Sequence, residues 1–112
     1  MNRWITQLRK GLLEYCVLSV LRQGESYGYE VVLSLKAIDD LAVTESTVYP
    51  ILTRLRKEGD LTVRTEPSPN GPPRRYFSLT AQGKKRVRWM DDHWDSLHKS
   101  ISTLRTKQKN VS

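Results

Sequence analysis

Apolar residues recur at Ile5, Leu8, Leu12 and Cys16, and again at Leu13, Val17, Val20 and Leu21. Two adjacent helical stripes predict a helix from Trp4 to Leu21, covered over most of its circumference. Gly11 weakens its first turns and marks a point where another backbone comes close. Gln23-Gly24 ends it, with Gly24 as a left-handed cap. Ser26 is the expected N-cap of a second helix over 27–38, with Glu30 one residue too far for a capping box. Thr44 caps a third helix, with Glu45 in its first turn. There Val48, Ile51, Leu52 and Leu55 form a narrow stripe. The opposite face carries Ser46, Pro50, Thr53 and Lys57, flanked by Thr47, Tyr49 and Arg54. Gly59 ends the helix. Pro50 deletes one backbone bond, which predicts either a bend there or a regular helix beginning near Tyr49.

The pattern then changes period. Residues 61–66 and 75–79 are rich in β-branched and aromatic side chains and predict two strands. Between them lie Pro67, Pro69, Pro72 and Pro73, which break strands, and Asn70-Gly71, which supplies a turn. The expectation is a β-hairpin with a long, stiff loop. From the N-cap candidate Thr80 onward, apolar positions fall at Val87, Met90, Trp94, Leu97, Ile101, Leu104 and Val111, with one miss at Gln108. This is a heptad seam. A helix over 81–107 is about 40 Å long at 1.5 Å per residue. A small domain cannot bury such a seam alone, so a second helix must cover it.

With 112 residues, the chain has room for one domain and a long appendage. The expected division is 1–79 and 80–112. The single Cys16 excludes an internal disulfide and a cysteine zinc site, and fits a reducing compartment, expected to be cytoplasmic. No apolar run approaches the ~20 residues of a membrane span, and no signal peptide is recognisable. Charge is distributed unevenly. Residues 1–60 balance eight basic against eight acidic side chains, whereas residues 61–112 hold eleven basic and four acidic and carry the whole net charge of +7. Arg74, Arg75, Lys84, Lys85, Arg86 and Arg88 form a stretch without an acid. A localised basic field suits a polyanion, nucleic acid ahead of membrane, or else a face kept basic for solubility.

Three helices followed by a hairpin is the order of a winged helix-turn-helix, here mainly α with a small β-hairpin plus a long C-terminal dimerisation helix. In that architecture the third helix enters the DNA major groove. Its outer face must lack acids, because phosphates repel carboxylates; between Glu45 and Glu58 it does. Four stretches make the likeness specific: Tyr27-Gly-Tyr-Glu30; Glu45-Ser-Thr-Val-Tyr-Pro50 running into Leu55-Arg-Lys-Glu-Gly59; Pro73-Arg-Arg-Tyr-Phe-Ser-Leu-Thr80; and Gly83. In order and spacing these resemble the PadR family of bacterial transcriptional regulators, in its short form with a single C-terminal helix, over about residues 8–105. The resemblance implies a homodimer in which the last helix packs against the first and last helices of the partner. It also implies a repressor whose DNA affinity is changed by a small effector, often aromatic. One departure is in the wing, where Asn70-Gly-Pro-Pro-Arg-Arg75 has prolines where the family commonly has a basic residue.

The candidate DNA contacts are Ser46, Thr47, Tyr49, Arg54 and Lys57 on the third helix and Asn70, Arg74 and Arg75 on the wing. Arg suits bidentate contact to guanine and Lys suits phosphate. Each also has a plainer reading: a solvated helix charge for Arg54 and Lys57, first-turn polarity for Ser46 and Thr47, a half-buried core ring for Tyr49. Alternation along the strand directs at most one of Arg74 and Arg75 toward the domain. The dimerisation candidates are Val87, Met90, Trp94, Leu97, Ile101 and Leu104. Trp94 is either plain core or the contact for a planar effector, a role the resemblance supports. Trp89 lies off the seam. His93 and His98, five apart, do not share a face for a metal. No catalytic triad, carboxylate pair or phosphate loop is legible, and neither a cofactor nor an enzyme activity is expected. The alternative function is a winged-helix adaptor that binds another protein, with its basic charge incidental.

Overall fold

The computed structural model describes residues 2–111, with side chains through residue 106. The expected outer bounds at residues 1 and 112, and the side chains of Gln108 and Val111, lie outside the described residues. Helix α1 spans Asn2–Leu21, strand β1 Ser26–Tyr27, α2 Gly28–Lys36, a 3-10 turn Asp39–Leu41, α3 Glu45–Lys57, β2 Leu61–Ser68, β3 Gly71–Leu79 and α4 Ala81–Val111. One core joins them. Leu13, Val17, Leu18 and Leu21 of α1 meet Val31, Val32 and Leu35 of α2 and Val48, Leu52 and Leu55 of α3. Leu61, Phe77 and Val87 close it from the sheet and from α4. Burying each of the larger side chains contributes roughly 1.5–3 kcal/mol.

Four local expectations change. Ser26 does not cap α2. It pairs with Phe77 as part of a third strand, so the sheet order is β1-β3-β2. The N-cap is Tyr27, whose amide donates to the Glu30 carboxylate at 3.2 Å. Shifting the cap by one residue brings Glu30 to the N3 position, from which a carboxylate reaches back to the N-cap amide. The second change is in the hairpin. Its strands run on to Ser68 and from Gly71, leaving Pro69 and Asn70 as a tight turn in place of a long loop. The prolines are tolerated for reasons of topology. Strand β1 reaches only Tyr76 and Phe77, so Pro72 and Pro73 lie where β3 has an unpaired edge, and an irregularity between Glu66 and Ser68 accommodates Pro67.

Third, α3 is regular from Glu45, ahead of Pro50, so it does not begin near Tyr49. Fourth, a side chain added at Gly11 would meet nothing of its own chain within 4 Å. Gly24 (φ 142°) and Gly59 (φ 89°) stand at the expected helix ends with positive φ.

The base of α4 is fixed to the end of α3. The Thr80 hydroxyl donates to the Gly59 carbonyl at 2.6 Å, and the Gln82 amide donates to the Glu58 carbonyl and the Asp60 carboxylate, both at 2.9 Å. Asp60 is the one buried charged residue among those described, and it also receives Arg86. A second tie joins α4 to α1. Asp91 accepts from the Tyr15 hydroxyl and, at 2.7 and 2.8 Å, from both terminal nitrogens of Arg22. Val87 is therefore corrected from a dimerisation residue to a core residue, 3% exposed, with Met90 packed half-buried against the same core. The polar ties press the first turns of α4 onto its own domain and use up the start of the seam.

Candidate nucleic-acid interface

Helix α3 buries Val48, Leu52 and Leu55 and exposes Ser46, Thr47, Thr53 and Lys57. Thr44 has the extended conformation of an N-cap, yet its hydroxyl engages the hydroxyls of Ser46 and Thr47, at 2.9 and 3.1 Å, not a backbone amide. The Thr53 hydroxyl donates to the Tyr49 carbonyl at 3.1 Å. A shallow groove of about 520 Å³ along this outer face is lined by Tyr49, Pro50, Thr53, Arg54 and Lys57. Lys57 has no carboxylate partner among the described residues.

Arg54 differs from its neighbours. Its stem borders the groove, but Nη1 is drawn back onto Glu14 of α1 at 3.0 Å and Glu58 at 3.1 Å. Hydrogen bonding to Glu14 raises the guanidinium pKa further above its already high value. Arg86 is also occupied, by Glu14 at 2.8 Å and by Asp60, and so leaves the acid-free basic stretch. Arg64 is held by Glu25 and Glu66.

The wing root forms a second cleft, of about 240 Å³, between α2, α3 and β3. Tyr27, Tyr29, Tyr49 and Phe77 supply rings, Pro72 and Pro73 one wall, and Arg74 and Arg75 the charge. Arg74 stacks over Tyr27 at 5.1 Å and Arg75 over Phe77 at 5.6 Å. Such stacking holds a guanidinium near an apolar surface without neutralising it. Both arginines remain exposed, and Asn70 is exposed at the hairpin tip. Partial burial, reinforced by the charge of Glu45, pushes the Tyr49 phenol above its usual range. Tyr49 packs so closely on Gly28 that a Cβ there would stand 2.7 Å from its ring. This gives the Gly of Tyr27-Gly-Tyr-Glu30 a reason that the sequence alone did not.

On the far side, α4 exposes Trp94, Leu97, Ile101 and Leu104, and α1 exposes Trp4 and Leu8. An apolar groove of about 240 Å³ separates the two helices, lined by Leu12, Tyr15, Trp89, Met90, Trp94 and Leu97 among others. Trp89 stacks on His93 at 4.0 Å and Trp94 on His98 at 6.1 Å. Among the described residues no group of His, Cys, Asp and Glu is placed to hold a metal, and no helix is long and apolar enough to cross a membrane.

Three core helices, a short third strand and a basic two-stranded wing define a winged helix-turn-helix protein with an added C-terminal helix. The chain belongs to the PadR-like family of transcriptional regulators, whose family model matches residues 17–88. It is 31% identical over 87 residues to the negative transcriptional regulator PadR of Bacillus subtilis, and spans about half (47%) of that relative's length while 73% of this chain is covered. Its fold is similar to a PadR family transcriptional regulator from Eggerthella lenta, with TM-score 0.80 and 31% identity over 92% of this chain and 89% of that one. It is also similar to Bacillus subtilis PadR solved in complex with operator DNA, with TM-score 0.65 and 30% identity over 70% of this chain and 46% of that one.

Proposed function

We propose that the protein is a cytoplasmic, non-enzymatic transcriptional repressor that binds duplex DNA as a homodimer and is released by a planar aromatic effector. The observation that carries this reading is the outer face of α3. It bears hydroxyls and Lys57, no carboxylate between Glu45 and Glu58, and stands beside a wing root holding Arg74 and Arg75. Ser46, Thr47 and Tyr49 offer hydroxyl donors to phosphates and base edges, Lys57 a point charge to phosphate, and Asn70, Arg74 and Arg75 the flanking contacts. Arg54 joins them when its head leaves the carboxylates.

The dimer reading is supported by the exposed apolar row of α4 from Trp94 to Leu104, which a second copy would cover. The effector reading rests on the groove at Trp94, apolar and bounded by two flat rings. The likeness to a negative regulator, and to a relative solved on its operator, supports repression over activation.

The test is selection of bound fragments from random duplex followed by footprinting. A two-fold dimer yields a near-palindrome with half-sites about one helical turn, roughly 34–36 Å, apart. Failure to enrich any sequence, together with retention of a protein partner, supports the adaptor reading instead.

A further inference from the structure

The carboxylate of Glu14 on α1 is paired across to α3, with its side chain only 20% exposed. One oxygen, Oε1, accepts from Arg54 Nη1 at 3.0 Å and from Arg86 Nη2 at 2.8 Å. The two arginines are not equivalent. Arg86 has a second carboxylate in the buried Asp60, so it stays paired without Glu14. Among the described residues, Arg54 has as its other carboxylate partner Glu58, 44% exposed at the C-cap of the same helix. Its stem borders the outer groove beside Lys57 and Thr53, and its half-exposed head is engaged by the two carboxylates.

We propose that Glu14 is a positioning residue that holds Arg54 in reserve, and that a DNA phosphate at the α3 groove competes with the Glu14 carboxylate for the Arg54 guanidinium. The proposal rests on the DNA-binding reading above and adds a built-in restraint on its strength. The exchange trades one charge-assisted pair for another, so affinity is set by a difference between two pairs, not by the full strength of either. It also makes the phosphate count on this face one lower per protomer than the sequence implies, unless Glu14 yields. The Glu14 side chain comes from α1, which lines the Trp94 groove through Leu12 and Tyr15. The restraint therefore sits on the helix that an occupant of that groove would press.

The experiment is a double-mutant cycle in the full chain, with a mixed-sequence duplex long enough for two half-sites as the probe. Glu14→Gln keeps the length and an acceptor oxygen for Arg86. It is expected to bind severalfold more tightly than the native chain, with a salt slope steeper by roughly 0.9 per recovered phosphate contact. In an Arg54→Gln background the same change is expected to leave that slope unaltered, which separates release of Arg54 from the mere removal of a negative charge. A folded Glu14→Gln protein with native affinity and slope overturns the proposal while leaving DNA binding intact. A native chain that binds no duplex overturns the DNA reading and this one with it. Should Glu14→Gln fail to fold, the native protein serves. The Arg54 guanidinium resonances are expected to shift on adding duplex while those of Arg86 do not, and Arg54 resonances that stay in place overturn the proposal.

Discussion

Gly83 in the first turns of α4 faces the Asp60 carbonyl so closely that a Cβ built on it would stand 2.1 Å from that oxygen. Here the base of the last helix meets the junction of α3 and β2, backbone against backbone. The obstruction is a main-chain atom held by the Thr80 amide, so no flexible side chain can give way. Gly83→Ala is expected to destabilise the fold by about 1–3 kcal/mol or more, as overpacking does. Denaturant unfolding checks it, and a native midpoint in that variant would refute the close approach.

Asp91 is held near pKa about 2, first by the Arg22 hydrogen bonds and then by the Tyr15 hydroxyl. The unfolded value is about 3.9. A folded pKa below the unfolded one contributes stability that is fully present above about pH 4 and is lost as pH falls toward 2. Thermal unfolding from pH 6 down to 2 is expected to show a smaller acid-induced loss in Arg22→Gln than in the native chain. Asp91 is close to the surface, so high salt weakens the effect.

Leu97 and Ile101 are exposed at 55% and 47% and stand one helical turn apart on α4. Replacing both by Asp is expected to convert a dimer to monomer in sedimentation while the core around Leu18, Leu35 and Leu52 remains. A native chain that sediments as a folded monomer at micromolar concentration would contradict the assignment of this face.

Trp94→Leu is expected to preserve the dimer and DNA binding. It should abolish both fluorescence quenching by planar aromatic compounds and their release of the protein from DNA. Stacking on an indole is worth about 0.5–1.5 kcal/mol beyond burial. An unchanged response in the variant would leave Trp94 as plain core.

The elements governed by local pattern were legible: α1 from its double stripe, α3 from Thr44 to Gly59, and α4 from its heptads. What was not legible depended on partners distant in the chain. The pairing of Ser26 with Phe77 is a contact 51 residues away, invisible to any reading of capping. The prolines of the wing read as breakers because the sequence does not show which strand edges lack a partner. Arg54 was readable as a cation on the third helix, but its carboxylate comes from α1, 40 residues earlier. Tyr27, Tyr29 and Pro73 stand in the motif stretches with no role visible from the sequence, and the wing-root cleft brings them together with Pro72. Val87 fitted the seam by spacing and the core by position, and position decides.

In the proposed function, the outer face of α3 and the wing root grip duplex DNA through its phosphates. Its most direct measurement is duplex affinity against salt concentration for the native chain and for Lys57→Ala. The expected result is a linear fall of log affinity with log salt, and a slope reduced by about one per lost contact in the variant, with all sequences weakened alike. A salt-independent affinity, or a Lys57→Ala protein that binds with the native slope, would contradict it.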